Sequence, residues 1–297
     1  MKRILLFGAS GFLGRAVVAA FSGSADVVCA SRGARDEPGW IRHDLEQDSA
    51  AQLASVVRQV HPDAVVNCTG RLDGTTAELV SANVLATARL LDAVSTSDAR
   101  LVTLGSAGEY GAVPVGHPVA EDAPTEPVAA YGVTKLAATR LVQSAVDGGV
   151  DAVSLRVFNP IGAGMPSGTV LGRAASRIRE ARNSGQDFIE LGPLDAYRDF
   201  VDVRDVASAI AAAALATEVK EPVLNVGSGS AVRTRDAVAL LAEIAGFSGS
   251  VREVGAAQAR SGAVNWIAAD VSRAKLALGW SPRYSLADSI RLIWHEG

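Results

Sequence analysis

Near the N-terminus a short apolar run, Ile4–Phe7, feeds into Gly8-Ala9-Ser10-Gly11-Phe12-Leu13-Gly14, and the chain passes without a break into an amphipathic stretch, Gly11–Phe21. So short an apolar run reads as a strand buried on both faces. Such a strand, followed by a glycine-rich reversal and a helix, opens a β-α-β unit and commits the chain to a parallel sheet covered by helices. The turn alone is a sufficient reason for glycines, which adopt backbone angles closed to other residues. The same arrangement also lets the main chain approach a pyrophosphate, with the N–H groups and dipole of the helix N-terminus beside it. The spacing is G-x-x-G-x-x-G. Its place between a first strand and a first helix favours a dinucleotide site made by Gly8, Ser10, Gly11, Phe12, Leu13 and Gly14.

The first half repeats the pattern. Apolar runs at Val27–Ala30, Ala64–Asn67, Leu101–Leu104 and Ala152–Val157 alternate with helix-spaced stretches at Ala50–Val60, Ala77–Val94 and Tyr131–Val146. This predicts an α/β fold, a doubly wound parallel sheet of Rossmann type. The alternation weakens after Asn159: Gly162 to Gly168 reads as a loop, then come a helix near Val170–Ala181, a short strand at Arg198–Val203, an Ala-rich helix at Val206–Leu215, a further parallel strand at Val223–Val226, and tail helices at Ser272–Leu278 and Leu286–His295. A dinucleotide-binding domain is therefore expected at 1–160, its core completed by about 199–229, with a smaller substrate-binding lobe from 161–198 and 230–297.

The 297 residues are 48% hydrophobic and 20% charged, which excludes a disordered chain. A net charge of -4 gives no electrostatic reason for a nucleic-acid or membrane partner, and no apolar run is long enough for a membrane span. No secretory signal is read ahead of the first strand, so a cytoplasmic location is expected. Two cysteines and four scattered histidines give no thiolate or HExxH spacing, so no metal is expected.

An acid that holds a ribose hydroxyl is expected about 20 residues beyond the glycine turn. The tip of the second strand instead offers Ser31 and Arg32, with Arg35 beyond. A guanidinium can pair bidentately with a 2′-phosphate, so NADP(H) is favoured and NAD(H) possible.

Tyr131 and Lys135 stand four apart, on one face of a helix. A nearby ammonium stabilises a phenolate, so such a tyrosine can exchange a proton with a carbonyl or hydroxyl oxygen while hydride moves at a nicotinamide. Ser106 follows the strand Leu101–Leu104, at the edge where open α/β sheets bind ligands, and could hydrogen-bond the same oxygen.

These residues together resemble the extended short-chain dehydrogenase/reductase family, the branch of nucleotide-sugar epimerases, dehydratases and reductases. The resemblance covers nearly the whole chain. By it, Asp44-Leu45 is the adenine-contacting pair, Cys68-Thr69-Gly70 a cofactor loop, Asn83 the helix asparagine, and Ser106, Tyr131 and Lys135 the catalytic positions. Leu155-Arg156-Val157-Phe158-Asn159-Pro160, Arg198-Asp199-Phe200-Val201-Asp202-Val203, Asn225-Val226-Gly227-Ser228-Gly229 and Leu278-Gly279-Trp280-Ser281-Pro282 are similar to later signatures of the family. The resemblance implies that Arg198 and Arg260 grip a diphosphate and that Asn159 makes a second substrate contact, beside Ser106. Two stretches, Gly105 to Gly111 and Leu191 to Phe200, look most like GDP-4-keto-6-deoxymannose reductases and related 4-ketoreductases.

The expectation is an NADP(H)-dependent reductase of a keto group on a nucleotide-activated deoxysugar, acting as a homodimer. An epimerase that keeps NAD bound, a ketoreductase for a non-sugar intermediate, and a non-catalytic dinucleotide-binding protein stay open. Dehydration is disfavoured, because Ala107-Gly108 stands where the resemblance calls for an Asp-Glu pair.

Overall fold

The computed structural model of the chain describes residues 1–33, 37–255 and 264–296. In chain order the first elements are β1 (Lys2–Phe7), α1 (Phe12–Phe21), β2 (Ala25–Ser31), β3 (Trp40–Arg42), α2 (Ala50–Val60) and β4 (Ala64–Asn67). A helical run of three parts follows: α3 (Thr76–Leu79), a π-helical stretch Val80–Leu85, and α4 (Ala86–Val94). Then come β5 (Arg100–Ser106), a 3-10 turn Ala107–Glu109, α5 (Ala130–Asp147), β6 (Ala152–Val157), β7 (Asn159–Ile161), α6 (Val170–Ser184), β8 (Phe188–Leu191) and β9 (Tyr197–Asp202). The chain ends through α7 (Val203–Leu215), β10 (Val223–Val226), β11 (Ala231–Arg233), α8 (Thr234–Ile244), β12 (Ser250–Glu253), α9 (Ser272–Leu278) and α10 (Leu286–His295).

Seven strands form one parallel sheet in the order β10-β6-β5-β4-β1-β2-β3. Alternation along β1 explains why both faces are covered. Ile4 and Leu6 pack with Val17 and Phe21 of α1 and Ile210 of α7, whereas Leu5 and Phe7 pack with Leu53 of α2 and Leu90 of α4. Each such fully buried side chain is worth about 1.5–3 kcal/mol of burial. Small residues let α7 lie close: Ala207, Ala209, Ala213 and Ala214 are all buried in that layer. Ser49 and Thr75 open α2 and α3 with reciprocal capping boxes to Gln52 and Glu78.

The strand order turns around at β1, whose neighbours are β2 on one side and β4 on the other. Connections leave those two strands in opposite directions, which opens a crevice at their C-terminal ends. Within 199–229, α7 and β10 lie on the main sheet, while β9 belongs to a smaller sheet, β11-β9-β7. Around that sheet α6, α8 and α10 bury a second core that includes Leu171, Ile178, Phe200, Leu241 and Ile290. The strand expected at Arg198–Val203 thus ends at Asp202, which caps α7 through its side chain, and the helix starts three residues earlier than its Ala-rich pattern suggests.

Candidate active site

The turn after β1 is shaped by close approach. Gly8 has φ +81°, and a Cβ there would lie 2.9 Å from the Cys68 carbonyl carbon and 3.0 Å from the Thr69 nitrogen. At Gly14 a Cβ would run into the Gly8 carbonyl oxygen. Gly11 donates its N–H to Gly8 O at 3.0 Å and begins α1 with neither a side-chain cap nor an acid in the first turn. An uncapped helix start beside backbone that admits no side chain is a cradle suited to a pyrophosphate. In the same turn Ser10 is exposed and Phe12 and Leu13 are half-buried, and Arg15 Nη1 braces the Ser10 carbonyl at 3.0 Å.

At the tip of β2 the Ser31 hydroxyl donates to Gly33 O at 2.8 Å, so it is engaged locally. Arg32 is 75% exposed, with Glu46 Oε1 3.8 Å from its Nη1. The strand tip itself carries no acid, but one stands beside the Arg32 guanidinium. It arrives from the loop after β3 and was invisible along the chain. In that loop Asp44 Oδ1 accepts Glu46 N–H at 3.0 Å, and buried Leu45 offers its carbonyl to Arg89 at 2.8 Å. Arg35 falls outside the described residues.

Beyond β4, Asn67 Oδ1 accepts both the N–H and the hydroxyl of Thr69, at 2.9 and 2.6 Å. A Cβ on Gly70 would be 3.0 Å from Asn83 Oδ1 and 3.6 Å from Lys135 Nζ, so this loop lies directly against both side chains. Asn83 sits in the π-helical stretch. It accepts Arg71 N–H at 2.9 Å and donates to Arg71 O and Thr134 Oγ1 at 3.0 and 3.1 Å. It thereby clamps the loop to α5. The Arg71 guanidinium is paired with Glu78 at 2.6 Å.

Ser106 ends β5 with 9% of its surface exposed, and its Oγ accepts Gly108 N–H at 3.1 Å. Gly108 lies between that hydroxyl and the Tyr131 ring: a Cβ there would be 3.4 Å from Ser106 Oγ and 3.7 Å from Tyr131 Cδ1 and Cε1. Gly132 lets α5 approach, since a Cβ on it would strike the Gly108 carbonyl oxygen. Lys135 is buried, and that burial pushes its ammonium down to about 8, with the charge of Glu109 opposing. Removal from water drives the Cys68 thiol up to about 12, with Lys135 opposing, so it is neutral at physiological pH. Ser106, Tyr131 and Lys135 are thus joined to the glycine turn through Gly108, Gly70 and Cys68, on one edge of the sheet. A phenol, an amine close to its titration point and a hydroxyl in that arrangement can pass a proton to or from a ligand oxygen.

Asn159 lies two residues past Val157, which pairs in register with Ser106, and its Nδ2 donates to Asp199 O at 3.1 Å. Arg198 follows on β9, its guanidinium donating to Tyr197 O at 2.8 Å, with burial holding it below the usual arginine range. Arg260 lies outside the described residues. Among the described residues no cluster of three His, Cys, Asp or Glu could hold a metal, and no helix is long and apolar enough to cross a membrane. Glu109, Thr139 and Arg156 escaped the sequence reading as site residues, although Glu109 lies within Gly105 to Gly111 and Arg156 within Leu155 to Pro160. The available signal was weak: Thr139 continues the Tyr131, Lys135 spacing by four.

Residues 4–227 match the NAD dependent epimerase/dehydratase family. A dTDP-6-deoxy-L-talose 4-dehydrogenase (NAD(P)(+)) of Kitasatospora kifunensis is 39% identical over 301 residues, 98% of this chain and 94% of that protein. A GDP-6-deoxy-D-mannose reductase of Pseudomonas aeruginosa is 29% identical over 98% of this chain and 96% of its own. Among solved structures, RMD from Pseudomonas aeruginosa complexed with NADPH superposes with a TM-score of 0.83 at 26% identity, covering 100% of this chain and 99% of that one. MoeE5 in complex with UDP-glucuronic acid and NAD also gives 0.83, at 29% identity, covering 98% and 97%.

Proposed function

The chain belongs to the NAD dependent epimerase/dehydratase family, as an NAD(P)-dependent enzyme of the extended short-chain dehydrogenase/reductase type, and from that premise we propose that it interconverts a keto group and a hydroxyl at C4 of a nucleotide-activated 6-deoxysugar. The observation that carries the reading is the seating of Ser106, Tyr131 and Lys135 around Gly108 and Gly70, at the same sheet edge as the pyrophosphate cradle. Full-length similarity to two oxidoreductases named for 6-deoxysugar nucleotides supports the substrate class.

A nicotinamide cofactor held at the glycine turn would supply the hydride for such a reduction. Tyr131 gives its hydroxyl proton to the carbonyl oxygen as that carbon–oxygen double bond becomes single. Lys135, close to Gly70, stabilises the phenolate left behind. Ser106 accepts from Gly108 N–H and can donate its own hydrogen to the same oxygen. Arg198 and Asn159 are suited to the diphosphate and sugar, and Arg260 is proposed with them.

Arg32 supports NADPH over NADH, while Glu46 at 3.8 Å offers an acid that would tolerate the 2′-hydroxyl. Titration of both cofactors should show tighter NADPH binding, and Arg32→Ala should erase most of the difference, about 1–3 kcal/mol. A homodimer belongs to the same reading: Val80, Leu85, Val133 and Leu141 leave large apolar side chains at the surface of neighbouring helices. Sedimentation of the protein and of Leu85→Glu tests it.

The deciding assay presents dTDP-6-deoxy-L-talose and GDP-6-deoxy-D-mannose with NADP+ and follows reduced nicotinamide. Net reduction with either supports the reading. No reduction, with UDP-glucose interconverted and cofactor unchanged, would overturn it in favour of an epimerase.

A further inference from the structure

Behind Ser106 lies a carboxylate that the chemistry above does not use. Glu109 is wholly enclosed, at 0% exposure. Its Oε1 accepts Ser106 N–H at 2.8 Å and the Thr139 hydroxyl at 3.0 Å, and its Oε2 accepts Arg156 Nε at 2.7 Å. Thr139 stands on α5 four residues after Lys135 and eight after Tyr131, so the three share one stripe of the helix. Gly105 is bare for this reason: a Cβ there would be 2.6 Å from Glu109 Oε1 and 2.9 Å from Ser154 Oγ. Arg156 completes the bracket from β6, donating also to Tyr110 Oη at 3.1 Å and Glu121 O at 3.0 Å.

The simplest account is a buried ion pair that helps the fold. Yet a buried pair seldom stabilises more than apolar residues of the same volume, because each charge loses its hydration. What this pair does that an apolar filler could not is join the strand end carrying Ser106 to the helix carrying Tyr131 and Lys135.

We propose that Glu109 is a positioning residue: through Ser106 N–H and the Thr139 hydroxyl it fixes Ser106 relative to Tyr131. The proposal rests on the assignment of Ser106, Tyr131 and Lys135 given above. Glu109, in the turn after β5 and itself paired with Arg156 of β6, acts on Lys135 electrostatically, as does Cys68 from the loop after β4 when ionised. The thiol is neutral, so among the described residues Glu109 provides the negative charge that opposes loss of the ammonium proton. Loss of that bracing is expected to lower turnover, since a misplacement of about 1 Å can cost roughly 10²-fold in catalysis.

The test measures kcat and KM for oxidation of dTDP-6-deoxy-L-talose and GDP-6-deoxy-D-mannose by NADP+, with NADPH affinity by titration, for four variants beside the unmutated protein. Thr139→Val keeps the volume and deletes one tether; kcat should fall roughly fivefold, the worth of one hydrogen bond, with KM and NADPH affinity within about twofold. Thr139→Ser restores the hydroxyl and should restore kcat. Glu109→Gln keeps an acceptor but removes the charge, so the alkaline limb of the kcat profile should move to lower pH. Tyr131→Phe separates the two levels of inference. If Tyr131→Phe is inactive while Thr139→Val turns over normally, Glu109 is only a structural ion pair and the positioning role is wrong. If Tyr131→Phe is itself active, the underlying assignment fails and this one with it. Should Glu109→Gln not fold, the Thr139 pair alone decides.

Discussion

Tyr131 and Ser106 differ in what each hydroxyl can give, and substitution should separate them. Tyr131→Phe removes one oxygen from a half-buried ring that packs on Gly108, so cofactor binding should persist. Turnover should fall by about 10²–10⁴, the range for a positioned general acid. Ser106→Ala should cost less, about 10²–10³, as for one lost oxyanion donor. Both are read from the single-turnover change in nicotinamide absorbance beside a cofactor titration. Lys135 carries a separate expectation about pH. Its ammonium titrates at about 8 in the folded protein, below the ordinary lysine value of 10.5, so turnover that needs the charge should decline as pH rises through about 8. The sign for stability is opposite. Between about 8 and 10.5 the unfolded chain holds a proton that the folded one has released, so this group makes folding more favourable as pH rises through that window. Denaturant midpoints of Lys135→Met should lack that rise. The identities of Tyr131, Lys135 and Ser106 are legible because helical spacing and the end of an apolar run are local patterns. Glu109 is not, because its partner Arg156 is 47 residues away and a glutamate in a loop looks like a solvated one. Glu46 was hidden for the same reason, being near Arg32 in space and distant along the chain.

At the scale of elements, the strands of the main sheet are readable because two buried faces demand an unbroken apolar run, as in Ala64, Val65 and Val66 on β4. The strands left unread have three or four residues and little periodicity: Trp40–Arg42 sits at a sheet edge, and Ser250–Glu253 has two charged residues of four. The π-helical stretch was read as part of one helix, since a single wide turn scarcely disturbs an amphipathic pattern. That wide turn carries Asn83, whose amide holds Arg71 on both backbone groups and Thr134 on its hydroxyl. Asn83→Ala should therefore uncouple the loop after β4 from α5. The expected cost is about 1–3 kcal/mol, the penalty for buried groups left without partners, together with weaker NADPH binding. Urea unfolding and a cofactor titration check the two parts. A loss of stability with unchanged cofactor affinity would show that the clamp serves only the fold.

The whole molecule is tied together by chain crossings rather than by a hinge. After β9 in the smaller sheet, α7 returns to the main sheet and β10 joins it beside β6. The C-terminal segment is then pinned at the start of α7. The Asp205 carboxylate accepts Arg283 N–H at 3.0 Å and Tyr284 N–H at 3.1 Å, and buried Trp280 donates its indole N–H to Asp205 O at 3.1 Å and Ser208 Oγ at 2.8 Å. Ser289 on α10 donates to the buried carboxylate of Asp202 at 2.7 Å, so the helix that closes the second core also holds the first residue before α7. Neither core can open without breaking these bonds, which argues for one cooperative transition despite the length of the chain. Tryptophan fluorescence samples both cores, through Trp280 on the main sheet and Trp294 against the second core, and circular dichroism samples all the helices. The two signals should coincide in urea. Asp205→Ala should lower the common midpoint by about 1–3 kcal/mol of stability, because Arg283 and Tyr284 N–H groups lose their acceptor. If fluorescence instead changes well before the helical signal in the unmutated protein, the cores unfold separately and the pinning at α7 is not what unites them.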